Sequence, residues 1–362
     1  MKGLSIVGGG YAGLTTAISL AKRGFKAVVF ERAPFIGSGE AENFKAIRNY
    51  DLPTDFIDFL KGEGISIDFG VLKPIYKITK FAPAGKKMTV FSDDGPLFYS
   101  IRKSDDRDSL DFQLYENALN EGVEFKFSQN KSLISGDIIS VNSVYRNAWA
   151  YGNLYKGVNV DENEILFFMD NRYAPNGYLY AIPHGKHEIA IAATTFDLNC
   201  PLPVLFNNFL VNNKVVSELI DDAFLADHFG GFAYANFPKT AEIQGKKFVG
   251  SAAGFVDAAR GFGVRYAVQS GVLAARSFAT GESYDALWQS SFGKDLLEGL
   301  RRRFLLEKMT NEDYDRLIMD NKISIKRYDK YPGPFKKLLL EFEFSNSLAE
   351  WQKKYDLAKL FG

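Results

Sequence analysis

An apolar run from Leu4 to Val7 stands near the start of the chain, followed at once by glycines and then by Leu14, Ala17, Ile18 and Ala21 at helical spacing. Gly24 falls where a helix C-terminal cap is expected, and Val28, Val29 and Phe30 form a second short apolar run. The pattern predicts strand, helix and strand, a βαβ opening. From Pro74 to Lys103 apolar residues alternate and are interrupted by Pro-Ala-Gly and Asp-Asp-Gly, which predicts an antiparallel meander. Helical spacing returns at Leu110, Leu114, Ala118 and Leu119 and ends at Gly122 before another strand. Residues 164–196 again read as strands, with a hairpin turn at His184-Gly185-Lys186. Near Phe248 a short apolar strand leads into small residues and two glycines that open a further helix. After about Tyr284 the chain reads as helices, broken at Tyr331 to Phe335.

No repeat, low-complexity tract or linker separates these parts, so the expected fold is α/β with interleaved units. A Rossmann-like nucleotide-binding domain takes residues 1–73, 104–150 and 239–283. An antiparallel-sheet substrate domain takes 74–103 and 151–238, and a helical region takes 284–362.

Composition narrows the function classes. The chain has 362 residues, 46% hydrophobic and 24% charged, as a globular protein with a large core does. Lysine plus arginine equals aspartate plus glutamate at 44 each, so no overall field attracts nucleic acid. The aromatic share of 15% suits a protein that lines an apolar cavity as well as filling a core. A single cysteine, Cys200, excludes an internal disulfide and a CxxC metal knuckle, and a reducing cytoplasm fits. His184, His187 and His228, two of them on one turn, read as surface and turn residues, too few for a three-ligand zinc site. Neither GxSxG nor HExxH occurs. No apolar run is long enough for a membrane span, so any membrane contact is expected to be peripheral. The basic stretch Leu300 to Met309 reads as a packed helix with a solvated arginine face, the alternative being an amphipathic helix on a membrane. Nothing in the pattern speaks to oligomeric state.

Gly8, Gly10 and Gly13 form GxGxxG between a strand and a helix. The first allows a tight turn, the second lets a pyrophosphate approach the backbone, and the third lets helix and strand pack closely. The helix start supplies amide donors and partial positive charge, with Ala12 in its first turn. Glu31, followed by Arg32, ends the second strand where ribose hydroxyls are bound. An acid there favours an unphosphorylated ribose, in FAD or NAD.

The stretch "GSAAGFVDAARGFGVRYAVQSGVLAA" from Gly250 to Ala275 separates these two. It resembles the second fingerprint of FAD-dependent oxidoreductases of the para-hydroxybenzoate hydroxylase fold, in particular the geranylgeranyl reductase family, whose motif is close to GDAAGFVDPLTGGG. The resemblance implies FAD and places Ser251, Asp257, Gly261, Gly263 and Val264 at the cofactor. It extends to Arg102, a strand arginine before a helix along the cofactor, and to "APNGYLYAIPHG", similar to the family's PxxYxWxFP through Pro175, Tyr178 and Pro183. There Tyr180 replaces tryptophan and Ile182 replaces phenylalanine. These patches span roughly the first 280 residues.

The chain also departs from the family. Ser251 replaces the aspartate that bonds the ribityl chain, Ser140 to Trp149 keeps only Ser143 and Arg146 of a loosely similar segment, and the cysteine near the second strand is absent from "APFIGSGEAENF". A hydroxyl in place of that carboxylate costs about 1.5 kcal/mol, or about tenfold in affinity, so FAD is expected to be retained. The resemblance implies reduction of C=C bonds in an isoprenoid or lipid chain by hydride from reduced flavin, with Tyr178 and Tyr180 lining the substrate tunnel. Two alternatives stay open: a flavin monooxygenase of an apolar or aromatic substrate, and a non-catalytic binding protein on a flavoprotein frame. The electron donor, NAD(P)H or a ferredoxin-like protein, is likewise open.

Overall fold

The computed structural model describes residues 3–38, 41–129, 135–326 and 341–360. In chain order the elements are β1 (Leu4–Val7), α1 (Tyr11–Lys22), β2 (Ala27–Phe30), β3 (Asn43–Arg48), α2 (Phe56–Gly62), β4 (Lys73–Ile75) and β5 (Lys77–Phe81). Next come β6 (Lys87–Phe91), β7 (Phe98–Lys103), α3 (Leu110–Asn120), β8 (Glu124–Lys126), β9 (Ile138–Ile139), β10 (Ala148–Lys156), β11 (Glu164–Phe168) and β12 (Gly177–Pro183). They continue as β13 (Glu188–Thr195), α4 (Leu202–Asn212), α5 (Lys214–Leu219), β14 (Phe224–Ala233), β15 (Glu242–Ile243) and β16 (Lys246–Phe248). The C-terminal part holds α6 (Val264–Thr280), α7 (Tyr284–Trp288), α8 (Lys294–Leu306), α9 (Asn311–Leu317), β17 (Asn321–Ser324) and α10 (Glu341–Lys354).

Strands from three distant segments build a six-stranded sheet in the order β15-β16-β9-β1-β2-β8, parallel except for β15. Parallel strands need both faces covered, which explains why Ile6 and Val29 are fully buried and why α1 is buried over Tyr11 to Leu20. Helix α6 packs across α1 so closely that a Cβ on Gly271 would sit 2.3 Å from Thr15 Oγ1. The end of α1 follows expectation: Gly24 adopts φ of +81° just past the last turn.

The second sheet has eight strands in the order β14-β10-β13-β12-β11-β5-β6-β17. Its central strands alternate between two apolar clusters. Leu179, Ala181, Ile191 and Ala193 face α4, where Phe206 and Phe209 are fully buried, while Ile182, Ala190 and Ala192 face Phe44, Ile78 and Phe98.

The meander expected over Pro74 to Lys103 is divided between two sheets. Strands β5 and β6 join the eight-stranded sheet, whereas β7 pairs antiparallel with β3 and β4 in a small third sheet. Hydrogen bonding to β3, whose pattern gave no strand signal, redirects β7. The C-terminal region is helical as expected but contributes β17 to the sheet edge beside β6. The break at Tyr331 to Phe335 lies outside the described residues. Among those residues, no helix is long and apolar enough to cross a membrane.

His184 corrects the reading of the histidines as surface residues. The β12–β13 turn folds over β3 and β7, leaving the ring 7% exposed, stacked on Phe44 at 4.8 Å with Nδ1 3.2 Å from Ser100 Oγ. Burial, then Arg102 and Lys73, lower its pKa to about 4. The folded state therefore refuses a proton that the unfolded chain accepts near pH 6.5, so this stabilisation is full above that pH and is lost as pH falls towards 4. The depression corresponds to about 3 kcal/mol. His184→Asn is expected to flatten the fall in melting temperature between pH 7 and pH 4.5; equal slopes in both proteins would remove His184 from the account.

Candidate functional site

The first fingerprint forms a cradle. Gly8 adopts φ of +105°, and a Cβ there would meet Ser140 O at 2.5 Å. A Cβ on Gly13 would stand 2.0 Å from Gly8 O, so only glycine lets α1 start directly against the strand end. Gly10 differs: a Cβ there would meet nothing within 4 Å, leaving open space at the helix N-terminus. No side chain caps α1 and no acid lies in its first turn. Glu31 is held at the end of β2, accepting from Gly9 N at 2.7 Å and from Ala33 N at 2.8 Å. Arg32 is exposed.

The second fingerprint packs against the first. It begins after β16 with a 3-10 turn at Gly250–Ala252, and a Cβ on Gly250 would come within 2.9 Å of the Ala12 Cβ. Ser251 is half-buried and its hydroxyl makes no hydrogen bond among the described residues. Asp257, 1% exposed, organises the following loop: Oδ1 accepts from Ala259 N at 2.9 Å and Arg260 N at 3.1 Å, and Oδ2 lies 3.7 Å from Arg48 and 3.3 Å from Arg260. Backbone bonds from Asp257 N to Phe262 O and from Gly261 N to Asp257 O close the loop. Gly261, at φ of +72°, turns it into Gly263, which starts α6 ahead of Val264, again with no side-chain cap and no acid in the first turn.

These residues fit FAD. The open Gly10 cradle, two uncapped helix starts, the Glu31 carboxylate and the unpaired Ser251 hydroxyl are the donors and acceptors that a dinucleotide with a ribityl chain requires.

Arg102 is drawn into a different set of partners. It pairs with Glu42, with Asp108 at 3.0 Å and with Glu188 at 2.6 Å, tying β7 to β13. Three carboxylates occupy this guanidinium.

A cavity of about 130 Å3 opens beside the second fingerprint. Ala259, Arg260 and Phe262 form one wall; Ile78, Met88, Phe98 and Phe167 make the lining largely apolar. Tyr178 lines it and donates its hydroxyl to the Arg260 carbonyl. Burial, then Tyr180 and Asp257, raise the Tyr178 pKa well above the usual tyrosine value, so the phenol keeps its proton. Tyr180 does not line the cavity; its ring packs with the Phe44 and Phe98 cluster, and burial raises its pKa to about 12. The structure thus brings Tyr178 to the second fingerprint and leaves Tyr180 partly buried against the neighbouring apolar cluster.

Other lining residues had gone unremarked. Arg260 and Phe262 stand where the family motif has threonine and glycine, a signal visible in the alignment of the two motifs. Lys80 shares the parity of Ile78 along β5 and enters the cavity with it. Burial, opposed by Tyr50 and helped by Arg260, lowers its pKa to about 8.

Known proteins point the same way. The family model for FAD dependent oxidoreductases (DAO) matches residues 4–57. A digeranylgeranylglycerophospholipid reductase of Methanocaldococcus jannaschii is 23% identical, covering 86% of this chain and 88% of that protein. Digeranylgeranylglycerophospholipid reductase 1 of Methanococcoides burtonii is 27% identical over 58% of this chain and 51% of its own length. Among solved structures, a geranylgeranyl bacteriochlorophyll reductase-like protein from Thermoplasma acidophilum superposes with a TM-score of 0.69 at 17% identity, over 99% of this chain and 97% of that one. A flavin-dependent brominase superposes at 0.60 and 16% identity, over 97% and 99%. At these identities the superpositions establish the fold, which several chemistries share. The chain is an FAD-dependent oxidoreductase related to the geranylgeranyl reductases.

Proposed function

We propose that this oxidoreductase reduces a carbon–carbon double bond in an apolar, isoprenoid-type chain. The observation that carries the reading is the apolar cavity walled by the second fingerprint at Ala259, Arg260 and Phe262 and lined also by Tyr178. Bound in its reduced form, FAD would supply the hydride equivalent that, together with one proton, saturates a double bond. The chain's own part is to bind, orient and exclude water. Ile78, Met88, Phe98, Phe167 and Phe262 provide an apolar surface on which a flat alkene gains by burial without losing hydrogen bonds. The Tyr178 hydroxyl, protonated and bonded to Arg260 O, fixes the loop as a wall of the cavity.

The test is anaerobic. Holoprotein reduced with dithionite is mixed with prenyl alcohols of increasing length, and the flavin's visible absorbance and the product mass are followed. Return of the absorbance without oxygen, with a product heavier by two hydrogens, is the expected result. Recovery only on admitting oxygen, with oxygen or a halogen in the product, would place the chain with the monooxygenases or halogenases instead.

A further inference from the structure

The cavity beside the second fingerprint is apolar in most of its lining, yet three cations reach it, Lys80, Arg260 and Arg302, and among the described residues no carboxylate does. Arg302 is tied to Glu298 at 3.2 Å. Arg260 is held at one corner only: among the described residues its guanidinium donates through Nη1 alone, to Asp257 at 3.3 Å, and the side chain stays 20% exposed. Lys80, half-buried on β5, reaches the same space from the sheet. Tyr50 lines the cavity with both, its ring centre 5.6 Å from the Arg260 Cζ. Burial does most to bring the Lys80 pKa down to about 8, and the charge of Arg260 lowers it further against the influence of Tyr50, so the two cations lie near each other. The carboxylates that act on Arg260, Asp257 and Asp51, are absent from the lining. Like charges brought together on a largely apolar surface carry a cost that an anion between them would offset.

We propose that Lys80 and Arg260 form an oxyanion subsite inside the cavity, which takes the carboxylate or phosphate head of the unsaturated substrate. Arg260 offers a planar fork and Lys80 a point charge, two donor types that hold such a head. The inference rests on the reductase reading for what else the cavity holds. An engineered apolar cavity of about 150 Å3 holds benzene and the space here is about 130 Å3, so head and double bond stand within about one branched five-carbon unit of each other.

Binding to the oxidised holoprotein at pH 7, where the Lys80 ammonium is protonated, is read by calorimetry without turnover. The probes are 3-methylbut-2-enoate, its uncharged amide, 3-methylbut-2-enyl phosphate and inorganic phosphate. The variants are Lys80→Met, Arg260→Lys and, as a charge control, Lys77→Met, whose ammonium pairs with Asp161 outside the cavity lining. The alkenoate or the alkenyl phosphate is expected to bind at least tenfold more tightly than the amide, and the tighter of the two names the head. That advantage is expected to vanish in Lys80→Met, to fall several-fold in Arg260→Lys, which keeps the charge but loses the fork, and to persist in Lys77→Met. Inorganic phosphate is expected to compete with both anions but to bind more weakly, since it gains nothing from the apolar lining. Equal anion binding by parent and Lys80→Met, no preference over the amide, or the same loss in Lys77→Met would overturn the proposal. Phosphate that binds as tightly as the two anions without competing would assign a free-anion site elsewhere and overturn it too. Should either cavity variant fail to fold, the other carries the same comparison. Alkenoate that binds through Lys80 but is never reduced would sink the reductase reading alone, whereas equal reduction of an uncharged chain by parent and Lys80→Met would sink only the subsite.

Discussion

Gly10→Asp is expected to fold at least as well as the parent and to lose FAD. Gly10 sits at φ −78° and ψ −178°, a conformation open to any residue, and a Cβ there meets nothing within 4 Å. It occupies the N-cap of a helix that no side chain caps, so an aspartate would accept from the first turn and add roughly a few tenths of a kcal/mol of stability over glycine. The same carboxylate would occupy the cradle where a pyrophosphate has to lie. Like charges brought together in a site cost several kcal/mol, and about 3 kcal/mol already weakens binding more than 100-fold. Melting temperature without FAD and flavin uptake should therefore move in opposite directions. If Gly10→Asp stays yellow through purification, this turn is not the phosphate site. Gly13→Ala is the control of opposite kind, because a Cβ 2.0 Å from Gly8 O disturbs the fold itself.

Asp257→Ala should be among the most damaging single changes near the site. The carboxylate is buried, accepts two backbone N–H groups and neutralises Arg48 and Arg260. Its removal leaves buried guanidinium charge short of a partner, which costs about 3 kcal/mol even though Asp295 still pairs with Arg48. The loop that carries Gly261 and Phe262 loses its organiser in the same step. Denaturant unfolding and FAD titration of Asp257→Ala and Asp257→Asn check this, the asparagine being milder because its oxygen still accepts from the backbone. Unchanged stability in Asp257→Ala would show that Arg48 and Arg260 are neutralised elsewhere.

Local pattern carried the nucleotide-binding half well, because its signals are local: an apolar run, glycines at fixed spacing and an acid at the end of the next strand lie within about one βαβ unit. The second fingerprint was legible as strand, small residues and helix start, but Asp257, placed at the cofactor by resemblance, is buried and organises the loop instead. What stayed hidden depends on pairing over long distances. Strand β3 becomes a strand because β7 lies beside it, β17 because β6 offers a free edge, and His184 becomes a core residue because a hairpin folds over Phe44. Tyr178 and Tyr180 alternate with Leu179 and Ala181 as any strand does, and only the packing of the loop at Arg260 separates the cavity residue from its partly buried neighbour. Arg303 was expected on a solvated face, yet Leu296, Gly299, Leu300 and Phe304 put its position inside the buried stripe of α8. Helical spacing marked that stripe, but a basic run conceals the one member that turns inward.

The most direct measurement is a titration of purified protein with FAD, followed by reduction with dithionite and read in the visible flavin bands. One equivalent per chain, bleached on reduction and absent from Gly10→Asp, is the result this structure predicts with Ser251 in place. A protein that stays colourless and takes up no added FAD would contradict it, leaving both glycine fingerprints as packing devices of the fold.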